Sequence, residues 1–173
     1  MKTNIVLNPI QLVETLRSEV MSSVRVLGDK HFTLGFAESC TGGLLSSYFT
    51  ELAGVSQIFM GSVVSYDNKI KQKFLQVSEE TLKTRGAVST ETAKQMAEGA
   101  LKALESSVAV SVTGIAGPTG GSPQKPVGTV FIAVAGLKSE TLAFEHHFDG
   151  DRKSIQLQSC IEAVKHLNEF INK

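Results

Sequence analysis

The chain has 173 residues, of which 42% are hydrophobic and 20% charged, the composition of an ordinary globular protein that buries a sizeable core. Lysine plus arginine and aspartate plus glutamate both number 17, so no net field attracts nucleic acid or an acidic membrane surface. The first apolar stretch is too short for a signal peptide, and no later window approaches the ~20 apolar residues that cross a bilayer. We therefore expect a single domain over residues 1–173, located in the cytoplasm.

Cysteine and histidine usage argues against disulfides and against a metal site. The two cysteines, Cys40 and Cys160, fit a reducing compartment better than a disulfide scaffold. The four histidines form no His-x-x-x-His pair and no Cys-x-x-Cys motif is present, so a zinc site built by the protein is not expected. His146 and His147 are adjacent and face opposite ways on a strand, so they cannot chelate one ion together. We predict neither a metal nor a cofactor.

Helical and strand patterns alternate along the chain. Asn8-Pro-Ile-Gln11 has the residues of an N-cap, a first-turn proline and a capping box, and it predicts a first helix. Apolar spacing and caps predict further helices over 43–52, 69–75, 79–85, 90–104 and from 151 onward, and strands over 32–37, 58–66, 108–112, 129–135 and 141–148. Residues 136–139 are predicted to form a hairpin turn. This order predicts a three-layer α/β/α sandwich with a mixed, mostly parallel sheet.

The stretch from Thr33 to Leu45 carries the strongest signal for function. A short apolar strand runs through Glu38-Ser-Cys-Thr41 into a pair of glycines, after which a helix begins. Unpaired backbone N–H groups at such a helix start favour an anion or a developing oxyanion, and Ser39 lies in the turn, where its hydroxyl can face outward. The alternative is that Ser39 or Thr41 serves only as the N-cap of the helix.

Three predicted loops follow strands, and if those strands are parallel the loops meet at one edge of the sheet. Ligands of open α/β sheets bind at this edge. These loops contain Ser39, residues 66–71 and residues 113–128. The third holds five glycines and three prolines in 16 residues, and its length is typical of functional or disordered loops. It has no Gly-Lys-Ser/Thr, and its glycine spacing differs from a dinucleotide-binding fingerprint. It therefore predicts neither a P-loop nor a Rossmann site.

Tyr66 and Lys71 become informative beside Ser39. A serine hydroxyl is a weak nucleophile until a base takes its proton, and a desolvated lysine, acting directly or through a phenol, can be that base. A Ser/Lys or Ser/Tyr/Lys set would carry out acyl transfer without histidine. Alternatively, Tyr66 is only a tyrosine at a strand end and Lys71 only an exposed helix lysine.

Several motifs together resemble the CinA C-terminal domain family. They occur in the family's order over nearly the whole chain: Ala37-Glu-Ser-Cys-Thr-Gly-Gly43, Val64-Ser-Tyr-Asp-Asn68 with Lys71, Gly86-Ala-Val-Ser89, Thr113-Gly-Ile-Ala-Gly-Pro118 with Gly120-Gly-Ser122, Lys125-Pro-Val-Gly-Thr129 and Gly150-Asp-Arg152. The resemblance implies a three-layer α/β/α sandwich. It also implies nicotinamide mononucleotide deamidase activity, which hydrolyses that nucleotide's carboxamide to nicotinate mononucleotide and ammonia in pyridine-nucleotide salvage. Many members carry a further N-terminal nucleotide-binding domain, and we expect this chain to lack it and its activities.

The resemblance also implies roles for individual residues. The nucleophile falls on Ser39, its partners fall on Tyr66 and Lys71, and a substrate-binding arginine falls on Arg152. Further substrate or oxyanion contacts are expected from two glycine-containing loops, at Cys40, Thr41, Gly42, Gly43, Thr113, Gly114, Ala116 and Gly117. We expect nicotinamide mononucleotide as the small-molecule substrate, no nucleic-acid or membrane partner, and assembly into a homo-oligomer.

Two departures from the family pattern lie outside this catalytic set. Gln76 stands where the family has a glycine, and Pro123-Gln124 replaces a more acidic pair. The competing hypothesis is a non-catalytic nucleotide-binding or regulatory module, which has no need of a lysine and a phenol facing a serine. A nucleic-acid accessory protein is disfavoured by the zero net charge and the lack of a basic stripe.

Overall fold

The computed structural model describes residues 8–173. Its helices are α1 (Pro9–Asp29), α2 (Leu44–Thr50), α3 (Asn68–Leu75), α4 (Glu79–Thr84), α5 (Thr90–Ala103) and α6 (Arg152–Ile171). Its strands are β1 (Leu34–Glu38), β2 (Phe59–Val64), β3 (Val108–Gly114), β4 (Thr129–Gly136) and β5 (Ser139–His147). Every predicted helix and strand is present, with its predicted ends displaced by two residues at most.

Three local differences from the prediction have simple causes. The hairpin turn is only Leu137-Lys138, because Gly136 already pairs with Ser139 across the two strands. The long loop begins at Ile115, because β3 continues through Gly114 in register with β4. A short 3-10 turn at Val55–Gln57, which apolar spacing did not predict, follows Gly54.

The five strands form one sheet in the order β2-β1-β3-β4-β5. Strand β1 pairs in parallel with both β2 and β3, whereas β4 pairs antiparallel with both β3 and β5. Four strands therefore point the same way and only β4 is reversed, which confirms the predicted mixed, mostly parallel sheet.

Helices cover both faces of this sheet. On one face α1, α2 and α6 bury large side chains such as Phe36, Val110 and Ile132. On the other face, α3 and α5 pack against small strand residues such as Ala37 and Ala109. The predicted three-layer α/β/α sandwich is confirmed. Within residues 8–173, none of the helices has the length and apolar character required to cross a membrane.

Helix α3 packs closely against α5 because residue 99 of α5 is a glycine. A Cβ at Gly99 would lie 1.9 Å from the carbonyl oxygen of Leu75, the last residue of α3, so only glycine allows this approach. Helix α3 then ends at Gln76, whose φ of 57° lies in the left-handed region. Glycine is the usual residue at such a helix end, which explains why this position is a glycine in the family pattern.

The carboxyl ends of β1, β2 and β3 lie together at one edge of the sheet. Their register places Glu38 beside both Val64 and Val112. The residues that follow these strands are therefore neighbours in space, as the parallel pattern predicted.

Candidate active site

Ser39 and Lys71 meet at this edge of the sheet. Ser39 follows β1, and Lys71 lies in the first turn of α3, whose N-cap is Asp67. The Nζ atom of Lys71 is 3.1 Å from the Oγ atom of Ser39. Lys71 is only 1% exposed and Ser39 only 8%, so Lys71 is not an exposed helix lysine. A nucleophile and a candidate base are thus in direct contact.

Burial shifts the Lys71 amine toward its neutral form, and the neighbouring Cys40 and Asp67 act against this shift. Its Nζ atom donates to the carbonyl oxygens of Ser65, at 2.5 Å, and Tyr66, at 3.4 Å. Burial lowers the pKa of Lys71 below the ordinary lysine value, although the Asp67 carboxylate opposes the shift. A neutral amine has two N–H groups, which match the two carbonyls, and a lone pair, which is then available to the Ser39 hydroxyl. The geometry suits removal of the Ser39 proton.

Glu38, to which sequence analysis assigned no role, organises the turn behind Ser39. Its fully buried carboxylate accepts hydrogen bonds from the amides of Gly43, Leu45 and Ser46 at 2.9, 3.1 and 2.9 Å. It also accepts a hydrogen bond from the Ser46 hydroxyl. This carboxylate therefore satisfies the free N–H groups at the start of α2 and compensates the helix dipole there.

The turn amides are consequently not all available to an oxyanion. The Gly43 amide donates to Glu38, and the Gly42 amide donates to the carbonyl of Ser39 at 3.1 Å. The prediction that Gly42 and Gly43 donate to an oxyanion is therefore wrong in this arrangement. Within residues 8–173 the amides of Cys40 and Thr41 have no hydrogen-bond acceptor, which leaves these two as donors.

The glycine pair has a conformational role instead. Gly42 and Gly43 have φ values of 62° and 95°, in the left-handed region that residues with a Cβ rarely adopt. Gly43 is the N-cap of α2 and has no side chain to cap the helix, so the Glu38 carboxylate takes that role. The alternative in which Ser39 or Thr41 is merely an N-cap is thereby removed. The Ser39 hydroxyl contacts Lys71 instead.

Cys40 is not a competing nucleophile. The thiol is buried, and burial raises its pKa to about 12, so it stays protonated near neutral pH. The carbonyl of Cys40 accepts a hydrogen bond from Gln156 of α6 at 2.8 Å, which ties the turn to the neighbouring helix. The adjacent hydroxyl of Ser39, which contacts Lys71, is the better candidate nucleophile.

A cavity of about 250 Å³ opens above Ser39 and Lys71. Among the residues predicted to form the site, those that line it are Ser39, Cys40, Tyr66, Lys71, Thr113, Gly114, Ala116, Gly117 and Arg152. Thr41, Gly42 and Gly43 do not line it. Ile115, Thr119 and Gly120 of the predicted 113–128 loop also line the cavity, and sequence analysis missed two further lining residues, Ala87 and Val88. The available signal was the motif Gly86-Ala-Val-Ser89, to which no role had been given.

One protein-family model matches most of this chain. Residues 15–171 match the family model described as the CinA C-terminal domain. The chain belongs to this family. The CinA-like protein of Thermotoga maritima is 45% identical over 148 residues, which cover 86% of this chain and 36% of that protein. The CinA-like protein of Leptospira interrogans serovar Lai is 52% identical over 132 residues, which cover 76% and 32%. The chain thus spans about a third of the length of these curated relatives.

Solved structures of the CinA superfamily share the fold. The competence/damage inducible protein CihA from Agrobacterium tumefaciens superposes with a TM-score of 0.89 at 39% identity, covering 92% of this chain and 96% of that one. A CinA superfamily protein from Klebsiella pneumoniae superposes with a TM-score of 0.87 at 29% identity, covering 91% and 98%.

Arg152 and Tyr66 form the mouth of the cavity in this CinA C-terminal domain. Arg152, the first residue of α6, donates to the carbonyl of Gly117 at 2.7 Å and to the hydroxyl of Tyr66 at 3.1 Å. Tyr66 is 63% exposed, and its phenol oxygen contacts Arg152, whereas its backbone carbonyl faces Lys71. The structure therefore brings Tyr66 to the site, but the group in contact with the Ser39 hydroxyl is Lys71.

The long loop between β3 and β4, residues 115–128, is hydrogen-bonded to the segment between α4 and α5. Lys125 donates to the carbonyls of Arg85 and Val88 at 3.0 and 2.6 Å. On the strand side, the hydroxyl of Thr113 donates to the carbonyl of Ala87 at 2.8 Å. These bonds join two walls of the cavity and explain why Ala87 and Val88 line it.

Proposed function

We propose that this chain is an amidohydrolase that converts nicotinamide mononucleotide to nicotinate mononucleotide and ammonia, with Ser39 as the nucleophile. The observation that carries the proposal is the 3.1 Å contact between Ser39 Oγ and the buried amine of Lys71. The substrate comes from the family resemblance, and the contact supplies the chemistry that an amide hydrolase needs.

The reaction begins when Ser39 attacks the carboxamide carbon and its proton passes to Lys71. The amide of Cys40, a residue that lines the cavity, is assigned to the tetrahedral oxyanion, and a donor of this kind contributes roughly 10²–10³ in rate. Lys71 then gives its proton to the departing ammonia. Water hydrolyses the resulting acyl-enzyme and regenerates the Ser39 hydroxyl.

The proposed substrate carries two charged groups, a pyridinium ring and a phosphate. The pyridinium ring is cationic, which withdraws electrons from the amide carbon and also favours a neutral Lys71 beneath it. The 5′-phosphate is assigned to Arg152 and to backbone donors of residues 115–121. A guanidinium has five N–H groups, and the bonds of Arg152 to Gly117 and Tyr66 leave others for an anion.

Ammonia release tests this proposal. Wild-type protein should release ammonia from nicotinamide mononucleotide, and Ser39→Ala should abolish release while remaining folded, since Gly43 rather than Ser39 caps α2. Ser47→Ala is the matched control, because Ser47 is an exposed serine of the adjacent helix. Wild-type rates from a folded Ser39→Ala protein would falsify the covalent mechanism. Binding of the nucleotide without any ammonia release by the wild type would instead support the non-catalytic module.

A further inference from the structure

Two histidines that are far apart in sequence meet between strand β5 and helix α6. The Nε2 atoms of His146, on β5, and His166, on α6, are 2.9 Å apart. Glu162 lies one helical turn before His166 on α6. Ligand atoms of these three residues all lie within 4.8 Å of one another. Two imidazoles and a carboxylate are the donor set that zinc and similar divalent transition metals prefer.

The other nitrogen of His166 supports this interpretation. Its Nδ1 atom is buried and has no hydrogen-bond partner, while a carboxylate oxygen of Glu169 lies 3.6 Å away. An imidazole that binds a metal through Nε2 carries its proton on Nδ1, and a nearby carboxylate commonly orients that N–H group. A small approach of Glu169 would complete this arrangement and satisfy the buried nitrogen.

Aromatic packing already fixes the orientation of both rings. His166 stacks on Phe144 with ring centroids 3.7 Å apart, and His146 stacks on Phe148 at 5.3 Å. Rings held in this way lose little freedom when they bind an ion, so the cost of ordering the ligands is already met in the fold.

Glu162 supplies the negative charge of the cluster, and a neutral imidazole is the form of histidine that binds a metal. Lys165 donates to one carboxylate oxygen of Glu162 at 2.8 Å, which leaves the second oxygen for an ion.

We propose that His146, Glu162 and His166 form a binding site for one divalent transition-metal ion of the zinc class, which joins β5 to α6. Two nitrogen ligands of a tetrahedral zinc ion lie about 3.4 Å apart, so the histidines need to separate by about half an ångström. A fourth position remains for water. The site lies on β5, at the opposite edge of the sheet from β2, and none of its residues lines the cavity above Ser39. It is therefore a structural site that goes beyond the proposed reaction.

Zinc titration of the chelator-treated full chain, followed by calorimetry, tests the site without any measurement of activity. The wild type should bind one zinc ion per chain, and His146→Ala and His166→Ala should each weaken binding at least tenfold. His31→Ala and His147→Ala are the matched controls, because these are the remaining two histidines and neither belongs to the cluster. Both control variants should bind zinc as the wild type does.

Two further measurements keep the test decisive if a histidine variant folds poorly. Glu162→Gln retains the shape of the side chain but removes its charge, and it should weaken zinc binding while the metal-free protein stays folded. Zinc at ~100 times its Kd should raise the thermal midpoint of the wild type by roughly 5–10 °C, and should do so less in Glu162→Gln. Absence of stoichiometric zinc binding in the wild type would overturn the proposal, as would equal binding by the cluster variants and the controls.

Discussion

The Ser39–Lys71 pair and the His146–His166 pair have similar interatomic distances, but different features of the fold bring their residues together. Each places a half-buried or buried nitrogen base about 3 Å from its partner atom, at 3.1 and 2.9 Å respectively. The first pair is assembled by short turns that directly follow two neighbouring strands. The second exists only because helix α6 packs across an edge strand. Local backbone geometry thus determines one site, and tertiary packing determines the other.

The carboxylates near the two pairs explain their different chemistry. Glu38, one residue before Ser39, directs its carboxylate to backbone amides of α2, and within residues 8–173 no carboxylate forms an ion pair with Lys71. At the second pair, the carboxylates of Glu162 and Glu169 lie beside the imidazoles. Burial without an ion pair lowers the pKa of an amine such as Lys71, whereas imidazoles beside carboxylates suit a cation.

The largest effect is expected at Lys71. Lys71→Arg places a permanent positive charge here and removes the base, so it should lower kcat about 10³-fold, and Lys71→Ala should lower it by a similar factor. Tyr66→Phe should retain most activity, because its hydroxyl contacts Arg152 rather than Ser39. Initial rates of ammonia release measure both. High activity in Lys71→Arg together with a large loss in Tyr66→Phe would instead assign the base to the phenol.

The pH profile of kcat/KM tests whether neutral Lys71 is the base. Lys71 must be neutral to accept the Ser39 proton, so activity should rise as the pH increases through its pKa. Because burial lowers that pKa, the rise should occur below the ~10.4 of a free lysine. A profile that is flat, or that falls over this range, would show that a protonated Lys71 is the active form.

The next largest effect is expected on stability, at Glu38. Glu38→Gln removes the charge that three backbone amides share, and it should lower the free energy of unfolding by about 2–3 kcal/mol in urea titration. Glu162→Gln is the comparison, since its carboxylate is partly exposed and bonds to Lys165; its cost should be about 1 kcal/mol or less. Equal costs would mean that Glu38 is not the organising group of the turn.

A smaller effect is expected at Arg152. Arg152→Ala should raise KM for nicotinamide mononucleotide about tenfold and leave kcat nearly unchanged, because a phosphate contact is present in ground and transition states alike. Nicotinamide riboside, which lacks the phosphate, should be affected little. An equal loss with both substrates would assign Arg152 to the catalytic shell or to the support of Gly117 and Tyr66.

No effect on rate is expected from metal removal. Extended chelator treatment should leave kcat/KM within about twofold, while the thermal midpoint falls to that of the metal-free protein. This result would separate the two regions functionally. A large loss of activity that zinc restores would show that the His146–His166 cluster, or an ion elsewhere, takes part in the reaction.

Sequence analysis predicted those parts of the candidate site that depend on the order of the strands along the chain. Ser39 directly follows β1, Lys71 lies in the helix after β2, and residues 113–117 span the end of β3 and the start of its loop. Parallel strands bring these ends together, so their proximity was predictable. The role of Glu38 was not, because its partners depend on the exact path of the turn into α2. The His146–His166 cluster was missed because the search looked for paired ligands on one element, whereas one histidine lies on β5 and the other on α6.

The contact between Gly99 and Leu75 has a consequence for how this protein tolerates substitution. Gly99 lies on α5, outside the cavity, yet any side chain there would push against the end of α3, the helix that carries Lys71. The spacing between nucleophile and base is therefore controlled from a position that touches neither. A library of variants confined to the cavity lining would overlook it, and a selection for activity over random changes would find Gly99 as intolerant as the reacting residues.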